Sequence, residues 1–152
     1  MYDYPKTIVL RHQKENLKKC SLRGLENRED FLFFKYPRAT LPDLTGYILL
    51  DLYAPPLSEA DSDRGLFVLD GTWRYAERMA SSVDTTVMVR RSIPAGIKTA
   101  YPRRQEDCSD PERGLASVEA IYMAYLLLGR DASGLMDNYH WRDKFLEINN
   151  LM

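Results

Sequence analysis

Five short apolar runs punctuate the first part of the chain: Thr7–Leu10, Phe31–Phe34, Tyr47–Leu52, Leu66–Leu69 and Thr86–Val89. Each is continuous rather than alternating, the pattern of a strand covered on both faces, as in a parallel sheet. Between them lie segments able to form helices. Asn16–Arg28 is one, weakened inside by Gly24. Ser58 is placed to cap a short turn over Glu59–Asp61, and Thr72 a helix over Trp73–Ser81. Strands alternating with helices imply crossover connections and an α/β fold whose sheet is mainly parallel. Pro37, Pro42, Pro55, Pro56, Pro94 and Pro102 mark loops.

Beyond Arg91 the strand signal stops. Ser109-Asp110-Pro111-Glu112 reads as a capped turn with proline at a helix start. Ser117 then opens a helix through Val118–Leu128 that is apolar nearly all round, hence buried, and Gly129 stops it. Ser133–Leu146 reads as one or two further helices. The expected layout is a five-stranded sheet lobe over 1–91 and a helical lobe over 92–152, forming one compact unit.

A length of 152 residues suits one domain or two small lobes with a common core. With 45% hydrophobic and 28% charged residues, the composition is that of a globular chain and excludes a disordered tail or a collagen. No apolar run approaches the roughly 20 residues that a bilayer requires, so no membrane partner is expected. The N-terminus lacks the apolar core of a signal peptide. Cys20 and Cys108 are too few for a disulfide scaffold, which suggests a reducing, cytoplasmic setting. The net charge of −1 conceals an uneven distribution: +4 over residues 1–40, −5 over 41–85, +5 over 86–104 and −5 over 105–152. Two basic segments can bind a polyanion where the fold brings them together. Otherwise they are solvated surface.

Several chemistries are missing. There is no G-x-G-x-x-G after a strand, no P-loop and no G-x-S-x-G elbow. His12, Cys20, Cys108 and His140 show no metal-ligand spacing, so no metal site is expected. The strongest local feature is Leu69-Asp70-Gly71-Thr72-Trp73-Arg74-Tyr75-Ala76-Glu77-Arg78-Met79, at the carboxyl end of a buried strand and running into a helix. Open parallel sheets bind ligands at this edge, where helix N-termini present backbone N–H groups. Gly71 permits a sharp turn, Thr72 offers a cap and a hydroxyl, and Trp73 offers a flat apolar surface. The plainer alternative is a capped helix start with a core tryptophan.

The run Asp70-Gly71-Thr72-Trp73-x-x-Ala76-x-x-Met79 resembles the signature of the DTW-domain family, which includes transferases acting on tRNA uridine. Four other segments resemble the related aminocarboxypropyltransferases of small-subunit ribosomal RNA. These are Leu17–Ser21, Pro56-Leu57-Ser58-x-x-Asp61, Leu115–Ala120 and Trp141-x-x-x-Phe145-Leu146-Glu147-Ile148-Asn149. Their order and approximate spacing match over nearly the whole chain, and the terminal motifs turn the resemblance toward the ribosomal type. The sequence departs from that type at Gly71, where cysteine is usual, and at Ala100–Gln105, where an Asn-Pro-x-Asn-Tyr-Gly loop is usual. The cysteine-rich metal motif common in the tRNA group is absent from it.

The resemblance implies a SPOUT-like fold with a trefoil knot in its C-terminal half, and S-adenosylmethionine (SAM) as co-substrate. The implied reaction transfers a 3-amino-3-carboxypropyl group to N3 of a uridine or pseudouridine in small-subunit rRNA, with tRNA as the alternative substrate. By the same resemblance the SAM site takes Leu69, Gly71, Thr72, Trp73, Ala76, Ile97, Thr99, Ala100, Leu115 and Ser117, with Ser21 reaching the amino-acid end. Asp70 is the candidate base, and Trp73 and Ala76 the candidate walls of a methyl-sized slot. Lys18, Lys19, Arg23, Arg90, Arg91, Lys98, Arg103 and Arg104 would hold RNA phosphates. A monomer is the expected assembly. Glu119 is expected only to complement the first turn of its helix. A SAM-dependent RNA methyltransferase and a non-catalytic ribosome-assembly factor remain open as other readings.

Overall fold

The structure is a computed structural model and describes residues 4–13, 22–38, 40–51, 53–70, 73–101 and 115–151. The side chains of Trp73, Arg74 and Ala76 fall outside that description. So do Ser21, Gly71, Thr72, the basic residues Lys18, Lys19, Arg103 and Arg104, and the expected turn at 109–112.

Five strands form one sheet: β1 (Thr7–His12), β2 (Phe31–Tyr36), β3 (Ile48–Leu50), β4 (Leu66–Asp70) and β5 (Val89–Arg91). Their spatial order is β2-β1-β4-β3-β5, and every pairing is parallel. Among the described residues, three α-helices accompany them, α1 (Trp73–Ser81), α2 (Ser117–Leu127) and α3 (Arg142–Ile148).

The strands are continuously apolar because the sheet is covered on both faces. Along β1, Ile8 and Leu10 enter one core with Phe67, Leu49 and Met79, the last from α1. Val9 enters the other, with Ile48, Leu66, Val68 and the α2 residues Val118, Ile121 and Tyr125. A period of two along each strand feeds alternate residues to the two layers. The second core also holds Leu135, Met136, Tyr139 and Phe145, so strands and C-terminal helices bury apolar surface together. The edge strand β2 is only partly covered, and its Leu32 is 40% exposed.

Several expectations need correction. The fifth strand begins at Val89, not Thr86, because Asp84 caps a 3-10 turn over Thr85–Val87 by accepting from the Thr86 N–H at 3.1 Å. No α-helix runs through Leu22–Arg28. Gly24, at φ 91°, opens a 3-10 turn over Leu25–Asn27, a backbone shape that an L side chain resists. Ser117 is not the cap of α2; Ala116 is, and Ser117 is the first helical residue. Between Ser133 and Trp141 the chain makes turns, so only α3 follows. Trp73–Ser81 and the capped turn at Glu59–Asp61 form as expected, the latter through a Ser58–Asp61 capping box.

At the amino edge of the sheet, the buried Asp30 carboxylate accepts from Arg28 at 2.9 and 3.0 Å, from Tyr4 at 2.8 Å and from Tyr125 at 2.9 Å. Burial alone would raise its pKa, but these donors hold it below the ordinary aspartate value. Tyr4 is pushed up to about 12, by burial first and by Asp30 beside it, and Tyr125 is raised for the same reasons. Arg130 lies over the Tyr4 ring at 4.1 Å and donates to the Ser62 and Arg64 carbonyls. This network ties β1, β2 and the end of α2 together.

Candidate functional site

The connection after β1 leads to β2 on one side, while the chain after β4 passes through α1 to β5 on the other. The carboxyl ends of β1 and β4 are therefore a topological switch point, where an open parallel sheet leaves a crevice for a ligand. The residues there are a register pair, Arg11 and Asp70.

Asp70 ends β4 and is 3% exposed. Arg11 Nε donates to its Oδ2 at 3.1 Å, and the Ser117 hydroxyl donates to its Oδ1 at 3.1 Å. The Arg11 guanidinium also lies 4.6 Å from the Phe33 ring centroid and 3.9 Å from Glu26. One carboxylate thus joins two strands to the start of α2, whose first-turn N–H groups carry the positive end of the helix dipole. The Ser117 hydroxyl, which the resemblance assigns to a methionine carboxylate, here meets Asp70. Beside this group, the buried His12 ring stacks on Tyr75 of α1 at 3.9 Å and 16°.

The second wall is the segment 97–100 with Leu115. Gly96, at φ 100°, turns the chain into it. Ala100 is buried, while Ile97, Thr99 and Leu115 are half-buried. Ile97 and Leu115 line a small apolar hollow with Ile93, Pro94 and Ala95. Glu119, wholly buried, accepts from Thr99 Oγ1 at 2.5 Å, Ala116 N at 2.8 Å, Ala100 N at 2.9 Å and Tyr139 Oη at 2.9 Å. It does far more than complement a helix end. A lone acidic residue in an apolar helix, three positions after the cap, was the signal for it in the sequence.

Among the expected site residues, Asp70 and Ser117 meet directly, and Thr99 and Ala100 join the start of α2 through Glu119. Leu69 is half-buried beside Asp70. Trp73 and Ala76 lie on the first turns of α1, and the proposed slot between their side chains falls outside the described residues. Arg23 and Lys98 are exposed. Arg90 pairs with Asp51 at 3.1 Å and Arg91 with Asp61 at 3.2 Å, so carboxylates already offset part of the field expected to face RNA. Arg11 stands in no motif, and Asn149 closes the Trp141–Asn149 motif without being singled out; both were missed because their partners lie far along the chain. Among the described residues, no helix is long and apolar enough to cross a membrane.

The fold and site define a class: an open parallel α/β protein with a switch point at its carboxyl edge, flanked by a paired carboxylate and a helix N-terminus. Comparison with known proteins narrows the class. No family model matches the chain. It is 28% identical over 138 residues to a 16S rRNA aminocarboxypropyltransferase of Methanosarcina mazei, covering 87% of this chain and 74% of that protein. It is 32% identical over 109 residues to the 16S rRNA aminocarboxypropyltransferase of Methanosarcina acetivorans, covering 67% of this chain and 58% of that protein. Its fold is similar to that of the SAM-dependent rRNA:acp-transferase Tsr3 from Vulcanisaeta distributa, with a TM-score of 0.74 and 23% identity over 96% of this chain and 79% of that one.

Proposed function

We propose that this chain is a SAM-dependent RNA aminocarboxypropyltransferase acting on N3 of a uridine or pseudouridine in small-subunit rRNA. The observation that carries the reading is the Arg11–Asp70–Ser117 group at the switch point of a chain similar to 16S rRNA aminocarboxypropyltransferases over most of its length.

The residues at the edge fit SAM. The apolar side chains of Ile93, Ile97 and Leu115, set beside backbone groups, suit the face of a purine. Leu69, Ile97, Thr99, Ala100, Leu115 and Ser117 would hold it, with Ser21, Gly71, Thr72, Trp73 and Ala76 completing the site. When bound, SAM supplies a γ-carbon activated by its sulfonium, with methylthioadenosine as the neutral leaving group.

Asp70 then faces the acceptor base and takes the N3 proton as the new N–C bond forms. Arg11 and Ser117 hold its carboxylate in one orientation, so the proton acceptor is in place before the RNA arrives. The phosphates of the RNA meet Arg23, Lys98, Arg90, Arg91 and the basic segments at 18–19 and 103–104, Asp51 and Asp61 offsetting part of the charge of Arg90 and Arg91. The same reading includes the knotted SPOUT-like C-terminal half, a monomer and a cytoplasmic location.

Two SAM samples test it, one labelled in the carboxylate and one in the methyl group, each incubated with small-subunit rRNA or tRNA lacking the modification. Carboxylate label in rRNA with release of methylthioadenosine is the expected result. Methyl label alone, with S-adenosylhomocysteine as product, would make the protein a methyltransferase. Absence of both SAM binding and label would leave a non-catalytic RNA-binding factor.

A further inference from the structure

We infer that Glu119 and Asn149 are positioning residues that clamp the segment 97–100 from two sides and fix it as the adenosine-recognising edge of the SAM site. The inference rests on the SAM-transferase reading and deepens it.

A carboxylate with no solvent exposure is costly unless every lone pair is used. Capping α2 needs only the bond from Ala116 N. The other three bonds of Glu119 reach out of the helix, two of them to 99 and 100. An apolar residue would fill this place in the core without the desolvation cost. What the carboxylate adds is a fixed position for 97–100 against the α2 N-terminus, and through Ser117 against Asp70.

Asn149 closes the resemblance motif Trp141–Asn149 and ends α3. Its Oδ1 accepts from Lys98 N at 2.7 Å, and its Nδ2 donates to Lys98 O at 2.8 Å and to Phe145 O at 3.0 Å. One side-chain amide thus takes both backbone groups of one residue, as a neighbouring strand would. The two clamps engage Lys98 and Ala100. The backbone groups of the alternate residues, Ile97 and Thr99, form no hydrogen bond to another described residue. Ile97 lines the hollow with Ile93, Pro94, Ala95 and Leu115, and Thr99 follows two residues on. Backbone donors and acceptors beside an apolar surface are what the edge and face of an adenine require.

The test is calorimetric titration of SAM and of methylthioadenosine, which lacks the amino-acid arm, into wild type and variants. Asn149→Ala and Thr99→Val should each weaken both ligands by the same factor, roughly tenfold, the worth of one to two hydrogen bonds. Thr99→Ser keeps the hydroxyl and should restore affinity. Glu119→Gln should act in the same direction and more strongly. Because that buried change can unfold the protein, the other variants decide. Wild-type affinity in Asn149→Ala and Thr99→Val would overturn the inference. So would a lowered melting temperature and binding stoichiometry with unchanged Kd, the mark of a purely structural clamp. A loss for SAM but not for methylthioadenosine would also overturn it, since the effect would then lie at the amino-acid end. If the wild type binds neither ligand, the SAM reading falls and the inference with it.

Discussion

Asp30 and Asp70 are both buried aspartates held by an arginine and by hydroxyls, at opposite edges of the same sheet. Asp30 precedes β2 at the amino edge, where a two-nitrogen grip from Arg28 and two tyrosine hydroxyls bind it at 2.8–3.0 Å. Tyr4 and Tyr125 are rigid rings of the layer packed there, so this carboxylate is a rivet between elements. Asp70 ends β4 at the carboxyl edge and is held at 3.1 Å by one nitrogen of Arg11 and by the small hydroxyl of Ser117. Its partners stand where strands finish and a helix begins. Chemically similar groups thus stand in different settings: Asp30 ties packed elements together, while Asp70 lies at the carboxyl edge, the edge at which open parallel sheets bind ligands.

The comparison can be broken by exchanging the outcomes. Asp70→Asn should bind SAM and lose about 10²–10⁴ in single-turnover transfer, the usual contribution of a positioned base; unchanged turnover would put Asp70 with Asp30 as a rivet. Asp30→Ala removes the buried acceptor that Arg28, Tyr4 and Tyr125 share and should cost about 3–5 kcal/mol in urea denaturation, with SAM affinity unchanged in the folded protein. A comparable loss of stability in Asp70→Asn would erase the distinction. Arg11→Lys keeps the charge but not the planar fork, and should lower the transfer rate about tenfold with little change in melting temperature.

The smallest effects concern pH and salt. The folded pKa of Asp30 is lowered, so its stabilisation is present above the unfolded value of roughly 4 and lost as pH falls through the folded one. Tyr4 and Tyr125 are raised, so theirs is present below roughly 10 and lost as pH rises through the folded values. Urea midpoints should therefore be flat between these limits and fall on both sides; Asp30→Asn should shrink the acid limb and, by removing the charge beside Tyr4 and Tyr125, also weaken the alkaline one. Charge reversal at Lys98 should reduce the salt slope of RNA binding by about 0.7, one phosphate contact on a single strand. Arg90→Glu should change it less, since Asp51 already pairs with that arginine.

Local pattern alone was enough for the strands β1 to β4, the helix at Trp73–Ser81 and the capped turn at Ser58, because each is marked by residues within a short stretch of chain. It failed where a short-range polar bond competed with an apolar run. Asp84 turned the start of the expected fifth strand into a 3-10 turn, and Gly24 opened another where a helix was expected. Asp70 was legible as a candidate from its place at a strand end before a glycine. Arg11, Glu119 and Asn149 were not, since their partners lie 59, 20 and 51 positions away along the chain. The sequence by itself determined roughly where the buried strands lie and which chemistries are missing. Only the tertiary structure decided that β1 lies beside β4, which sets an arginine against Asp70, and that two side chains from α2 and α3 grip the segment 97–100. Strand order and long-range hydrogen bonds depend on how whole layers pack, and no window of sequence contains both partners.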